Sequence, residues 1–357
     1  MISMKNLNQR LNSLDILRGF DIFVLVCFGP LLKWASQKYA CIPVYIETQF
    51  HHVKWEGFAF WDIIMPLFMF MAGAAMPFSF AKYNGSGTYI RIFRRVLMLF
   101  FFGMLVQGNL LTANFWQTFD ISILHFYSNT LQAIAVGYLI SSIFLLNFKI
   151  RGQIIATLAI FVLYWVLLTF CGDCTPKGNF AYYVDAIVLG KFRSVSSEYT
   201  WVLSSLNFGV TVMLGVFCGH IMRRQNTKIS NATSMFVFAL ILLATGYLLS
   251  FQMPIIKKIW NSSFTLWSGG WCVLLMAVFY LIIDVFNFSK GLNWLKIYGM
   301  NAIVAYMLYS LTKIYVFPAS FEKNLPTIIV ELYTPIQCVL IFAVLYTMYK
   351  TKTFLKV

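Results

Sequence analysis

The chain has 357 residues, of which 60% are hydrophobic, 18% aromatic and only 11% charged. This leaves too little polar material to clothe a water-soluble globule of that size, and it excludes a soluble enzyme that merely carries an anchor. The net charge of +15 does not mark a nucleic-acid binder, because the basic residues sit at the ends of apolar runs and form no single stripe.

A bilayer core about 30 Å thick takes about 20 mostly apolar residues per helix. A backbone in lipid must satisfy its own hydrogen bonds, as helices or as a closed barrel, and the continuous runs of this chain select helices. The expected fold is all-α: a polytopic membrane helical bundle of about ten transmembrane helices, near 16–35, 59–80, 92–111, 129–147, 152–171, 203–222, 232–252, 264–286, 297–317 and 327–349. Residues 1–357 read as a single domain, with 1–14 as an N-terminal segment and 350–357 as a tail. The first apolar run carries Asp15, Arg18 and Asp21 and reads as a retained span, not a cleaved signal.

An even number of spans puts both termini on one side. With the N-terminus in the cytoplasm, the cytoplasmic segments hold Lys5, Arg10, Lys82, Arg91, Arg94, Arg95, Arg223, Arg224, Lys350 and Lys356 with almost no acids. The opposite face mixes Lys54, Lys177 and Lys323 with Glu47, Glu56, Asp173 and Glu322. The positive-inside rule therefore predicts that both termini are cytoplasmic. The outer connections near 37–58, 112–128, 172–202 and 318–326 are the longer and more polar ones, so chemistry is expected there.

Three clusters of ionisable residues lie at or within the spans, where their cost makes each a functional candidate. In Ser13-Leu-Asp15-Ile-Leu-Arg18-Gly-Phe-Asp21, Asp15 and Arg18 share a helix face. They form either a structural ion pair or a seat for an anionic cofactor group. In Phe50-His51-His52-Val-Lys54-Trp55-Glu56-Gly57, followed by Asp62 and Pro66, two of the four histidines meet an interface belt. The belt alone can explain them; alternatively an imidazole there acts as base while Asp62, one helix turn inside, holds its tautomer. In Pro254-Ile-Ile-Lys257-Lys258-Ile-Trp260-Asn261-Ser262-Ser263, lysines stand on the outer face, as snorkelling side chains or as ligands of an anion or sugar. Gln132 and Asn301 are intramembrane amides that need partners.

Of the seven cysteines, only Cys171 and Cys174 stand at motif spacing, compatible with a local disulfide. With no second pair, and histidines elsewhere, no metal site is expected.

Together these motifs have the look of a known family. The Ser13-Leu-Asp15-x-x-Arg18-Gly19 opening, His52-x-x-Trp55-x-Gly57 with Asp62 and Pro66, Arg94-Arg95, Leu131-Gln132, Lys257-x-x-Trp260-x-Ser262-Ser263-Phe264 and Gly299-Met-Asn301-Ala-Ile303 resemble the heparan-α-glucosaminide N-acetyltransferase family. The resemblance implies a transmembrane acyltransferase that takes acetyl from cytoplasmic acetyl-CoA and passes it to an amino sugar or glycan on the other side. It implies a bacterial inner-membrane relative, embedded in the lipid bilayer, with a homodimer admissible and no nucleic-acid partner. The family's catalytic histidine falls on His52, with His51 in reserve and Asp62 as its partner. Arg18, Arg94 and Arg95 would meet the nucleotide phosphates of acetyl-CoA, and Lys257, Trp260, Ser263 and Asn301 would line the substrate site. Cys27-Phe28-Gly29-Pro30 replaces the Asn-Tyr-Gly of the lysosomal type, Glu198-Tyr199-Thr200-Trp201 replaces an acidic Pro-Glu-Gly segment, and Asn129-Thr130 stands for Gly-Val, with Ala133 where a basic residue usually follows. These differences leave the acceptor sugar open. A transporter or permease for sugars or cell-envelope fragments is the alternative, and an inactive scaffold the third reading.

Overall fold

A computed structural model describes residues 11–39, 42–80, 87–194, 198–313 and 327–355. The expected outer connection 318–326 and the charges of Lys5, Arg10, Lys82, Glu322, Lys323 and Lys356 lie outside them. Every element of the described residues is helical: α1 (Asn12–Phe23), which runs through a π turn (Val24–Phe28) into α2 (Gly29–Tyr39); α3 (Val44–Gln49); a 3₁₀ turn (Phe60–Ile63) leading into α4 (Ile64–Phe80); α5 (Gly87–Gln107); α6 (Ala113–Thr118); α7 (Thr130–Asn147); α8 (Ile150–Phe170); α9 (Phe180–Leu189); α10 (Ser205–Met222); α11 (Lys228–Ser250); α12 (Ser262–Tyr280) with a closing π turn (Leu281–Val285); α13 (Leu295–Met300); α14 (Ala302–Leu311); and α15 (Thr327–Lys350).

Seven of these helices are long and apolar enough to cross a membrane. They are Phe60–Phe80, Thr130–Asn147, Ile150–Phe170, Ser205–Met222, Lys228–Ser250, Ser262–Val285 and the Leu332–Lys350 part of α15. The chain is an integral membrane protein. Three expected spans take another form. The first runs from α1 through the π turn into α2 and carries Asp15, Arg18 and Asp21; α5 has the length but carries Arg91, Arg94 and Arg95; and 297–317 is split at Asn301, whose backbone leaves the helical region (φ −125°, ψ 41°), into α13 and the short α14.

Polar residues set where several helices begin. Asn129 Oδ1 accepts from the backbone N–H of Leu131 and Gln132, Asn261 Oδ1 from Phe264, and Thr227 Oγ1 from Ser230, each satisfying donors that a helix start leaves orphaned. Small residues then let the backbones close in. A Cβ added to Gly73 would lie 1.9 Å from Val212 O, and one on Gly215 would lie 2.0 Å from Phe70 O, so α4 and α10 cross with backbones touching. Gly19 and Gly299 do the same for α1 and α13, where added Cβ atoms would stand 1.9 Å from Leu295 O and 2.3 Å from Asp15 O. The buried core includes Phe70, Phe208, Trp260 and Phe264 at the centre of the bundle, while α8, α11 and α15 present mostly exposed apolar faces.

Candidate active site

One cavity of about 840 Å³ is lined along α4 by Trp61, Ile64, Met65, Phe68, Ala72, Ala75, Met76 and Ser79. These positions fall on one face of the helix, and at 1.5 Å per residue they cover roughly 27 Å, close to a bilayer core. At the end where α4 starts, His52, Lys257, Asn109, His125, Tyr199 and Trp201 line the cavity; at the other, Arg18, Arg95, Asn301 and Leu355 do. The middle is apolar, walled by Leu99, Leu131, Ile134, Ile303 and the face of α4.

Two loops build the His52 end. The first turns at Gly57, whose φ of +119° suits glycine, and the Gly57 N–H donates to Ile255 O at 2.9 Å, clipping this loop to the second. Trp55 Nε1 donates to Cys174 O (2.7 Å), and the Phe60 N–H to Gln49 Oε1 (3.0 Å). Asp62 is 2% exposed, and its Oδ2 accepts from the Ala59 N–H at 3.1 Å while capping the 3₁₀ turn.

In the second loop every backbone carbonyl from Lys257 to Asn261 accepts a hydrogen bond. Lys257 O accepts from the Trp260 N–H, Lys258 O from the Thr200 N–H, Ile259 O from the hydroxyls of Tyr164 and Ser204, Trp260 O from Asn207 Nδ2, and Asn261 O from the Thr265 N–H. A loop so completely accounted for is a rigid mount.

The loops meet at Asp62 Oδ1. His52 Nδ1 is 2.7 Å from it and Lys257 Nζ 3.2 Å, with the two nitrogens 3.3 Å apart. An ionised carboxylate only accepts, so Nδ1–H donates to Asp62 and the proton-free ring nitrogen is Nε2. The His52 side chain is 47% exposed and Lys257 only 10%. Burial of the ring's inner edge, with the Lys257 and Lys258 ammoniums nearby, holds the imidazole below its ordinary range, and the bond to Asp62 offsets only part of that. Burial likewise lowers the Lys257 amine, against the pull of Asp62. The arrangement favours the neutral imidazole with Nε2 free of its proton, the form required of a base or nucleophile.

His51 stands apart. It is exposed, 3.8 Å from Glu47, and does not line the cavity. Trp260 and Ser263 are buried behind the second loop, where Trp260 Nε1 donates to Thr211 Oγ1 (3.1 Å) and Ser263 Oγ to Pro254 O (3.1 Å); they shape the loop and do not line the cavity. Asn301 lines the cavity at the Arg18 end, far from Lys257. Its amide is taken by the tail, Nδ2 donating to Thr353 O (3.2 Å) and Oδ1 accepting from the Leu355 N–H (3.1 Å). Of the adjacent arginines, Arg95 lines the cavity with its guanidinium 4.3 Å from the centre of the Tyr138 ring, whereas Arg94 is exposed on another face of α5. Gln132 binds the loop before its own helix, through the Ser128 N–H and Phe126 O. Cys171 and Cys174 are free thiols.

The reading from sequence passed over His125, Asn109, Tyr199 and Trp201 at the His52 end. Asn109 has a left-handed backbone (φ 63°), and its Nδ2 donates to Ile123 O at 3.0 Å, with His125 Nδ1 at 3.5 Å. His125, in the polar connection near 112–128, was the available signal; Asn109 lay at the end of the expected span 92–111, and neither had a motif around it.

No curated protein sequence matches this chain. Residues 10–253, more than half of the chain, match the family described as heparan-alpha-glucosaminide N-acetyltransferase, catalytic; this stretch includes His52, Asp62, Arg18 and Arg95 and stops just short of Lys257. With an apolar helical bundle around a carboxylate-held imidazole and a match of that extent, the chain belongs to the heparan-alpha-glucosaminide N-acetyltransferase catalytic family.

Proposed function

We propose that this protein is a transmembrane acyltransferase of a bacterial inner membrane, which takes an acetyl group from cytoplasmic acetyl-CoA and delivers it to an amino sugar or glycan on the far side. The observation that carries this reading is a cavity that has His52 at one end and Arg18 and Arg95 at the other. Guanidinium suits phosphate, so the two arginines would hold the nucleotide part of the donor. The apolar wall of α4 would pass its long arm toward His52.

At His52, Nε2 takes a proton from the acceptor amine or hydroxyl as that atom attacks the thioester carbonyl. A bond forms from the acceptor to carbon, the carbon–sulfur bond breaks, and the imidazolium returns its proton to the departing thiolate. A covalent route, with the acetyl group carried on Nε2 between two half-reactions, uses the same geometry. In either route Asp62 fixes the tautomer.

The test is turnover of acetyl-CoA by purified protein with glucosamine as the acceptor probe. His52→Ala should lower kcat by about 10²–10⁴-fold, and unchanged turnover would overturn the assignment. A cavity of this length would also serve a sugar permease. Counterflow of sugar in proteoliposomes without acetyl-CoA would favour that reading, and acetyl transfer without counterflow favours the enzyme.

A further inference from the structure

The third member of the cluster has no assigned part in the chemistry. Lys257 comes from a loop 205 residues beyond His52, yet its ammonium shares one carboxylate oxygen with the imidazole. Two donors on one acceptor oxygen compete for the same negative charge, and what each draws from Asp62 the other loses.

We infer that Lys257 is a positioning residue that, together with burial of the ring, keeps His52 uncharged: it draws on the Asp62 carboxylate with its own ammonium, so that Asp62 orients the imidazole with less stabilisation of its protonated form. The inference rests on the acyl-transfer reading only for its consequence; the electrostatic claim concerns His52 whatever the reaction.

The geometry supports this in three ways. First, with Asp62 2% exposed and Lys257 10% exposed, their charges face each other with little water between, so their interaction is weakly screened. Second, Nζ lies 3.3 Å from Nδ1, and Nδ1 already donates to Asp62, so the ammonium meets the ring as a nearby positive charge and not as a hydrogen-bond donor. A proton added at Nε2 would make two cations sharing one carboxylate. Third, the remaining charged or titratable neighbours do not reverse the balance. Lys258 adds to the repulsion from the same loop, although it is paired with Glu198 and lies 5.9 Å from the centre of the Trp55 ring, and Tyr199 is neutral at physiological pH.

A consequence follows for turnover. Once His52 has taken the acceptor's proton it is a cation beside Lys257, and the repulsion that kept it neutral favours release of that proton to the thiolate. Lys257 thus favours the neutral base before the transfer and proton return after it.

The experiment compares Lys257→Met and Lys257→Arg with the unchanged protein in two readouts. Histidine-labelled protein in detergent, with four histidines to resolve, allows His52 to be titrated directly by NMR and assigned by its loss in His52→Ala. The dependence of kcat/KM on pH gives the functional counterpart. In Lys257→Met the His52 titration and the acid limb of the rate profile should both move to higher pH by about one unit, so that on the acid limb, well below both titrations, activity relative to the alkaline plateau falls about tenfold. Lys257→Arg keeps the charge and should leave both near their original positions. A uniform loss of rate in Lys257→Met with the titration unmoved would overturn the inference, as would a downward move. Were the protein inactive toward acetyl-CoA, the acyl-transfer reading would fail while the NMR titration still decided the role of Lys257.

Discussion

The two ends of the cavity are built differently. At the His52 end, a carboxylate oxygen is shared by two cationic or ionisable side chains, the loop that supplies Lys257 has every carbonyl from Lys257 to Asn261 bonded, and Gly57 clips that loop to the other. At the Arg18 end the guanidiniums are partly exposed, Arg95 leans on an aromatic face, and Asn301 is tied to the backbone of the tail. The first arrangement holds its groups by several directed bonds, as bond-making requires. The second offers charge on flexible stems, which suffices to hold a polyanion but does not position a reacting atom. On the proposed reading, geometry is spent where bonds would change and charge where the donor would be gathered.

This contrast predicts different kinetic signatures for the two ends. The largest effect should come from Asp62→Asn, which replaces the shared carboxylate by a neutral amide, loosens the hold on the Nδ1–H tautomer and leaves the Lys257 ammonium without its counter-charge. It should lower kcat by about a hundredfold or more with little change in KM for acetyl-CoA. A pure KM effect would break the comparison, because it would place Asp62 in binding. A smaller effect of opposite kind is expected from Arg95→Ala: KM for acetyl-CoA about tenfold higher, the scale of one lost charged hydrogen bond, with kcat nearly unchanged. Smallest of all should be Arg94→Ala, whose side chain points away from the cavity. Equal effects of the two arginine variants would erase the distinction drawn between them.

How much of this was legible in the sequence follows the same division. The apolar runs announced a helical membrane protein, because lipid imposes length and continuity on every span. His52 and Asp62 were legible because they are ten residues apart across a short loop, and Asp62 begins the next helix. Arg94 and Arg95 could not be separated, since only the register of α5 against Tyr138 decides which one meets the cavity. Trp260 and Ser263 looked like ligands because they sit in a polar motif, but the fold spends them on shaping the loop that presents Lys257. Asn301 was placed with the acceptor because an intramembrane amide invites a ligand, while its partners are backbone groups 52 and 54 residues further on. The π turn in the first span and the break at Asn301 have no compositional mark. The meeting of Lys257 with His52 depends on tertiary packing of two loops, which a one-dimensional pattern does not carry.

The most direct test of the central claim is the position of coenzyme A in an experimental structure of the complex. The account predicts phosphates against Arg18 and Arg95, the arm lying along the α4 face past Ala72, and the sulfur in contact with His52 Nε2. Coenzyme A bound outside the cavity, or inside it with the sulfur remote from His52, would contradict it.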